Sequence, residues 1–373
     1  TMVGGEWLFD GVEAKVAAYV CVLAGLAAAM GGARLAGAAL LFAVATYFHF
    51  LVGLFWFFAA MALRLAGDRR DLRAAMATTG VFLLLVAPLL VTIAWTRLAA
   101  DRTVAAAGLL SADIIYSIIR APQHTSPFLD AAGFAAKWLP GYLLAAGMLL
   151  GCAVISRLPE AARLWTVARW LSLLLIYLFL ALIAAFFDRD TGILGKFYLF
   201  RPASLVLLLW LALAVAALDG LGTRHWLAVR LLALALLAPG FALAVAARIT
   251  VDVEAQASTE GVELAAFLAR AAVPGSVVLI DPQLEFSFLD FERRTELPVL
   301  VLWKFIPTND PEIREWYRRL EFRKALFAEG CAGKGAYPVA FLLTTPEHAA
   351  TLAQSCGPVF YASARIALLR RGG

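Results

Sequence analysis

Hydrophobic and polar positions divide the chain into two parts. From Thr1 to Ile249, apolar runs of about 18 to 25 residues alternate with short polar links, and such runs have the length needed to cross about 30 Å of hydrocarbon as a helix. The pattern predicts spans at roughly residues 14–30, 76–94, 134–155, 170–187, 203–218 and 229–247. The stretch 35–63 is longer. It reads either as one tilted helix or as two short helices meeting near "TYFHF", where Thr46 and His49 interrupt the apolar run, and the broken pair is the reading we favour. About seven to eight spans result.

Beyond Ile249 the periodicity changes. "TEGVELAAFLARAAVPGSVVLIDP" carries a helical pattern through Val262, Leu264, Ala265, Phe267 and Leu268, then Pro274-Gly275 and the short apolar run "SVVLI" of a buried strand. "LPVLVLW" at 297–303 predicts a second strand, and "NDPEIREWYRRLEFRKALFAEG" a helix capped by Asp310, with Pro311 at its first position and Gly330 at its end. "PVAFLLT" is a third strand, Thr345-Pro346 opens a further helix, and "PVFYASARIALL" closes the domain as a fourth strand. The predicted fold class is therefore an α-helical multi-span membrane domain, residues 1–249, followed by a small α/β domain with a mostly parallel sheet, residues 250–373.

Composition sharpens this picture. With 62% hydrophobic and 16% charged residues and a mean hydropathy of +0.82, the chain departs from globular averages towards a membrane protein. The opening "TMVGGEWLFDGVEAK" lacks a basic region followed by an apolar one, so no cleavable signal peptide is expected. Thr1 is not an initiator, and the chain is expected to be the downstream piece of a longer protein.

Arginines in the short loops predict orientation. Arg64, Arg69, Arg70 and Arg73, then Arg157, Arg163 and Arg169, then Arg224 and Arg230 make every second loop basic and place those loops in the cytoplasm. Loops 97–133 and 188–201 and the tail after Arg248 then face outward, as does the N-terminal stretch with Glu6, Asp10, Glu13 and Lys15 if 35–63 is a broken pair. Residues 1–249 hold 19 Lys+Arg against 12 Asp+Glu, leaving 13 against 15 for residues 250–373. The positive excess belongs to the membrane part, which favours anionic lipid or lipid phosphate over nucleic acid.

Candidate chemistry lies in the outward loops. Arg120, Gln123 and His124 in "IIRAPQHTSPF" can meet a polar head group; alternatively Pro122 and Pro127 merely end a helix and the polar side chains are solvated. "DRDTGILGKFYLFRP" gathers Asp188, Arg189, Asp190, Lys196 and Arg201, and Arg201 precedes Pro202 at a helix N-terminus, where an anion is favoured. Surface ion pairs and an arginine reaching for head groups are the plainer account of the same residues. His49 is a polar residue at membrane depth, a functional candidate or a histidine bonded to a neighbouring carbonyl. His225 and His348 read as surface residues. No glycine-rich phosphate loop follows any strand of the tail, and scattered histidines without a CxxC pair offer no metal site. Cys21 and Cys152 sit in spans as small apolar residues, whereas Cys331 and Cys356 can pair if the tail lies in an oxidising compartment.

The arrangement resembles the bacterial members of the GT-C superfamily, polytopic glycosyltransferases that take sugars from polyprenyl-phosphate donors at the outer membrane face. The resemblance rests on "GVEAKVAAYV" before a span, the helix pair "GGARLAGAALLFAVATYFHFLVGLFWF", the outward histidine-proline loop and the α/β tail, in which "LPVLVLWKFIPTNDPEIREWYRRL" is similar to an uncharacterised multi-pass family. It implies an inner-membrane, multi-pass protein with an extracytoplasmic C-terminal domain, a polyprenyl-phosphate sugar donor, and a saccharide, lipid or protein acceptor. It further implies that Arg201, with Arg189 or Lys196, holds the lipid phosphate, and that Arg120 and His124 contact a head group. A divalent cation is left open as a cofactor. The family's catalytic aspartate or Asp-Glu pair in the first outward loop has no counterpart here, since Glu6 and Asp10 do not match it, and that loop is expected upstream of Thr1. The competing classes are a lipid-linked saccharide transporter or envelope assembly scaffold, and a membrane sensor with a ligand-binding tail.

Overall fold

The computed structural model describes residues 14–30, 35–67, 72–99, 110–220, 259–332 and 335–371, together with Val3 and Val245. The expected span at 229–247, the Arg224 and Arg230 loop, His225 and the acidic N-terminal residues lie outside the described residues. Contacts divide the chain into two units, Thr1–Leu231 and Leu232–Gly373.

The first unit is helical. Helices α1 (Ala14–Met30), α2 (Leu35–Phe48), α3 (Phe50–Gly67), α4 (Leu72–Ala99), α5 (Leu139–Ile155), α6 (Trp165–Asp188) and α7 (Ala203–Gly220) follow the apolar runs. Three stretches, Leu72–Trp95, Ala131–Ile155 and Pro159–Asp188, are long and apolar enough to cross a membrane, and four shorter apolar helices accompany them. Helix α4 carries a broad exposed apolar surface, with Leu84, Val91 and Trp95 76%, 65% and 72% exposed.

Close contact between apolar helices depends on small residues and dispersion. Ala18 and Ala29 of α1 and Ala38, Ala39, Ala43 and Ala45 of α2 are accordingly buried, and Gly25 lies against the Phe42 ring, where a Cβ would come within 2.9 Å. Larger rings fill the wider gaps. Phe57 stacks on Phe82 at 3.8 Å, and Trp56 meets Trp170 edge-on. Buried polar tips find carbonyls on neighbouring helices: Trp170 Nε1 donates to Ala59 O at 2.7 Å and Trp210 Nε1 to Met148 O at 3.0 Å.

The stretch 35–63 is the broken pair, with the break at His49. Its tightness comes from Gly53, whose Cβ position would overlap the backbone N and Oγ1 of Thr46. Thr46 Oγ1 in turn donates to Phe42 O at 2.8 Å, which satisfies the hydroxyl within its own helix. The elbow sets His49 beside the loop that follows α6, and Tyr19 OH donates to Arg201 O at 3.3 Å in that loop. At the other end Arg64 donates to Ala29 O. The first turns of α1, the elbow and the loop after α6 thus share one end of the unit.

The second unit holds helix α8 (Thr259–Ala271), strand β1 (Val277–Ile280), helix α9 (Asp310–Glu329), strand β2 (Val339–Thr344), helix α10 (Pro346–Cys356) and strands β3 (Val359–Ala362) and β4 (Ala367–Arg370). The sheet order is β1-β2-β4-β3, with β1 parallel to β2 and the other two pairs antiparallel. The expectation of a mostly parallel sheet is therefore corrected to a mixed one. Two local causes account for it. Residues 359–370 fold as a hairpin, closed by Ser363 N donating to Ile366 O at 2.8 Å, instead of running as one strand. Residues 297–303 form a single bridge, Val278 to Val299, in which Val278 N donates to Pro298 O and Leu300 N donates to Val278 O, both at 2.9 Å, and Pro298 has no N–H with which to extend it. The N-cap position of α9 is Asn309, one residue before the expected Asp310, its side chain making no capping hydrogen bond, and Pro311 occupies the first turn. Thr345 caps α10 as expected, accepting from His348 N.

Two polar clusters are buried in this unit. Glu285 accepts from Arg323 at 2.6 Å with side chains 2% and 5% exposed, and its second oxygen accepts from Trp303 N and Lys304 N. Asp281, at the end of β1, accepts from Thr344 Oγ1 at 2.5 Å and contacts His348 Nδ1 at 2.7 Å, while His348 Nε2 contacts Phe327 O at 2.8 Å. His348 is thus a bridge between β1, α9 and α10, not the surface residue expected of it.

Cys331 and Cys356 form a disulfide, their Cα atoms 4.9 Å apart and 25 residues apart in sequence. It ties the ends of α9 and α10. Closing a loop of that length stabilises by about 3 kcal/mol in the chain-entropy account, so Cys356→Ser is expected to lower the unfolding midpoint of this unit, read by urea-dependent proteolysis of the full chain. An unchanged midpoint would show that the crosslink constrains nothing. A smaller effect is expected at Asp290. Partial burial works against its charge, but Arg294 at 2.6 Å and Arg293 at 3.1 Å outweigh it and hold the carboxyl below the usual range. A depressed folded value stabilises above about pH 4, and the contribution disappears as pH falls through that lowered value. Asp290→Asn should flatten this acid dependence by less than about 1 kcal/mol, as suits a partly solvated pair.

Candidate functional site

The loop after α6 is built around one carboxylate. Asp188 is 9% exposed and accepts from the backbone N–H groups of Ile193 at 2.9 Å, Leu194 at 2.8 Å and Gly195 at 3.0 Å, and from Thr191 Oγ1 at 2.5 Å. Both oxygens are engaged, so a buried charge that would otherwise be costly becomes the frame on which residues 191–195 wrap.

This loop is seated on the segment 111–126. Ser111 caps the short helix Ala112–Ile114, a π-helical turn Ile115–Arg120 follows, and Pro122–Thr125 closes a last helical turn. "IIRAPQHTSPF" is therefore an ordered platform. Ser117 Oγ donates to Gly192 O at 2.8 Å, and Thr125 Oγ1 lies 2.6 Å from Ser117 O. Gly195 approaches so closely that a Cβ would come within 2.6 Å of Ser117 Oγ, and Gly192 has a φ of +67° that favours glycine. Lys196 forms an ion pair with Asp113 across the two segments.

Beyond Lys196 the chain turns through Tyr198 at φ +48° and brings Arg201 to the elbow of α2 and α3. The guanidinium carbon lies 4.1 Å from the Tyr198 ring centroid, and Nη1 is 2.9 Å from His49 Nε2. Arginine keeps its protons, so it is the donor here; His49 Nε2 accepts and its proton sits on Nδ1. Burial pushes the Tyr198 phenol well up, with Tyr116 adding to the shift and Arg201 and Arg120 opposing it, so the phenol stays un-ionised. The His124 and Tyr116 rings each lie 6.1 Å from the Tyr198 ring.

Arg201 lines an apolar groove of about 340 Å³, together with Leu54, Phe55 and Phe58 of α3, Leu174 and Tyr177 of α6, and Phe197 and Tyr198 of the loop. An apolar groove with a cation in its lining matches an amphiphile with an anionic head.

The structure thus brings together Arg201, His49, Tyr198, Arg120 and His124. It separates others that the sequence had grouped with them. Lys196 is engaged by Asp113. Arg189 turns away, its guanidinium 4.8 Å from the Phe186 ring centroid and 3.4 Å from Asp190, and it lines a second, polar cavity. Gln123 is exposed. Tyr198, Asp113 and Tyr19 were not anticipated, because nothing in "FYLFRP" marks a tyrosine in a left-handed turn.

Fold and site together define a helical unit with three helices long and apolar enough to cross a membrane and a polar platform at one end, followed in the chain by a small mixed α/β unit. The chain matches no protein-family model, no curated protein and no solved structure. Among the described residues no group of three or more His, Cys, Asp or Glu side chains is placed to hold a metal ion.

Proposed function

We propose that the protein is part of a glycosyltransferase of the GT-C type that uses a polyprenyl-phosphate-linked sugar at the outer face of the bacterial cytoplasmic membrane. The observation that carries this reading is the apolar groove with Arg201 in its lining. The isoprenoid chain lies along α3 and α6, and the phosphate sits against the guanidinium. His49 and Tyr198 hold that group in place by a hydrogen bond and by stacking. Arg120 and His124, on the platform beside Tyr198, face the head group.

In the reaction the acceptor hydroxyl bonds to the anomeric carbon while the bond from that carbon to the phosphate oxygen breaks. The lipid phosphate leaves with the bonding pair, and the hydroxyl proton passes to a carboxylate. Arg201 acts on the leaving phosphate, where charge develops, and stabilises the transition state more than the bound donor. No residue is assigned as that carboxylate.

The multi-pass topology and outward face rest on the alternation of basic loops and on the common end shared by the elbow and the two outward loops. The disulfide supports an extracytoplasmic tail, because such crosslinks persist in oxidising compartments. The tail would then bind a saccharide, lipid or protein acceptor.

The test is incubation of the full chain in lipid nanodiscs with polyprenyl-phosphate-linked monosaccharides and a sugar-alcohol acceptor. Release of free polyprenyl phosphate with a new glycoside is the expected result. Tight binding of the donor with no turnover would leave a lipid-linked saccharide transporter or scaffold as the account.

A further inference from the structure

A second cavity, of about 290 Å³, opens on the earlier part of the same loop, between Thr125–Leu129 of the platform and Asp188–Gly195. We propose that it is a binding site for an uncharged saccharide. Its volume sits near the lower end of small-molecule sites, room for a single sugar ring.

Three features of the lining point to that chemistry. First, the exposed charges are paired. Arg189 and Asp190 lie 3.4 Å apart with side chains 51% and 83% exposed, so both can offer donors and acceptors to a ligand, and the one remaining charge of the lining is the Asp188 carboxylate. Asp188 adds no open acceptor, since both its oxygens are engaged by the loop backbone and Thr191. Second, the Ser126 hydroxyl supplies a group that donates and accepts, matching a ring of hydroxyls that do the same. Third, Phe128 gives a fixed apolar wall, stacked on Phe134 at 5.3 Å and edge-on to Phe186 at 5.3 Å. A sugar ring carries polar edges and C–H faces, and this lining offers a partner to each.

Other ligand classes fit less well. An inorganic anion would meet the Asp190 carboxylate, and a divalent cation would meet Arg189 with no cluster of ligating side chains among the described residues. An apolar ligand would leave the Arg189 and Asp190 groups poorly hydrated. As a saccharide site the cavity stands on its own lining; as the place of the transfer acceptor it rests on the glycosyltransferase reading above.

The experiment is saturation-transfer-difference NMR on the full chain in nanodiscs, with the methyl glycosides of glucose, galactose, mannose and arabinose as probes. It is run on wild type, Asp190→Asn and Phe128→Leu, with polyprenyl phosphate affinity measured on each preparation. Saturation transfer to at least one glycoside is expected, weakened about tenfold in both variants, while lipid phosphate affinity stays within about twofold. Asp190 is at the surface, so its amide variant keeps the fold and reads binding alone. Absence of transfer to every glycoside in wild type, or equal transfer in wild type and Asp190→Asn, overturns the saccharide site. Glycoside binding without lipid phosphate binding would keep this site and remove the transferase reading.

Discussion

Asp188→Ala is expected to dismantle the loop between α6 and α7. The carboxylate is the acceptor for three backbone N–H groups and the Thr191 hydroxyl, and alanine leaves those donors unpaired in a buried position. Each buried donor left without a partner costs about 1–3 kcal/mol, so the local penalty exceeds what a surface loop can absorb. Hydrogen exchange of Ile193, Leu194 and Gly195 should become fast. Lipid phosphate binding should fall by about two orders of magnitude, because Tyr198 and Arg201 are positioned through the same loop, a loss of about 3 kcal/mol. Asp188→Asn keeps one oxygen as acceptor and should fall between the two. Retained protection in Asp188→Ala would mean that the seat on Ser117 and Thr125 is sufficient, and that the carboxylate is not the frame.

Glu285→Ala is expected to have the largest effect in the second unit. Arg323 is 4% exposed and its partner would be gone, along with the acceptor for Trp303 N and Lys304 N. Breaking a buried pair by removing one member costs about 3–5 kcal/mol, whereas replacing both with apolar side chains of similar volume is often neutral. The double variant Glu285→Leu with Arg323→Leu should therefore recover much of the stability lost by Glu285→Ala, measured by denaturant-dependent proteolysis of the full chain. Equal loss in the single and double variants would point to the backbone donors at 303 and 304, and not to the unpaired arginine, as the cause.

What could be read from the amino acids differs between the two units for physical reasons. The apolar runs locate α1 to α7, since a helix satisfies the backbone of a long apolar run within the run itself, and His49 marks the break because it is polar inside such a run. The ends are less legible: α4 begins at Leu72 and α6 at Trp165, four and five residues before the apolar windows, because a helix continues into the interface where polar residues are tolerated. In the tail, the apolar run 297–303 has the composition of a strand, but Pro298 lacks the N–H that would extend its single bridge to Val278. The turn at Ser363 carries no glycine, proline or asparagine to announce the β3–β4 hairpin. Cys331 and Cys356 were legible as a pair, being the two cysteines of the tail. The Arg201–His49 contact was not, since 152 residues separate its members and only the elbow at Gly53 brings them together.

The central claim is that Arg201 holds a lipid phosphate at the apolar groove. Its most direct test is the affinity of the full chain for a polyprenyl phosphate, measured by native mass spectrometry, in wild type and Arg201→Ala. A charge-assisted contact of this kind predicts at least about a tenfold loss in the variant, with the helical fold intact by circular dichroism. Equal affinity in the two proteins would contradict the claim.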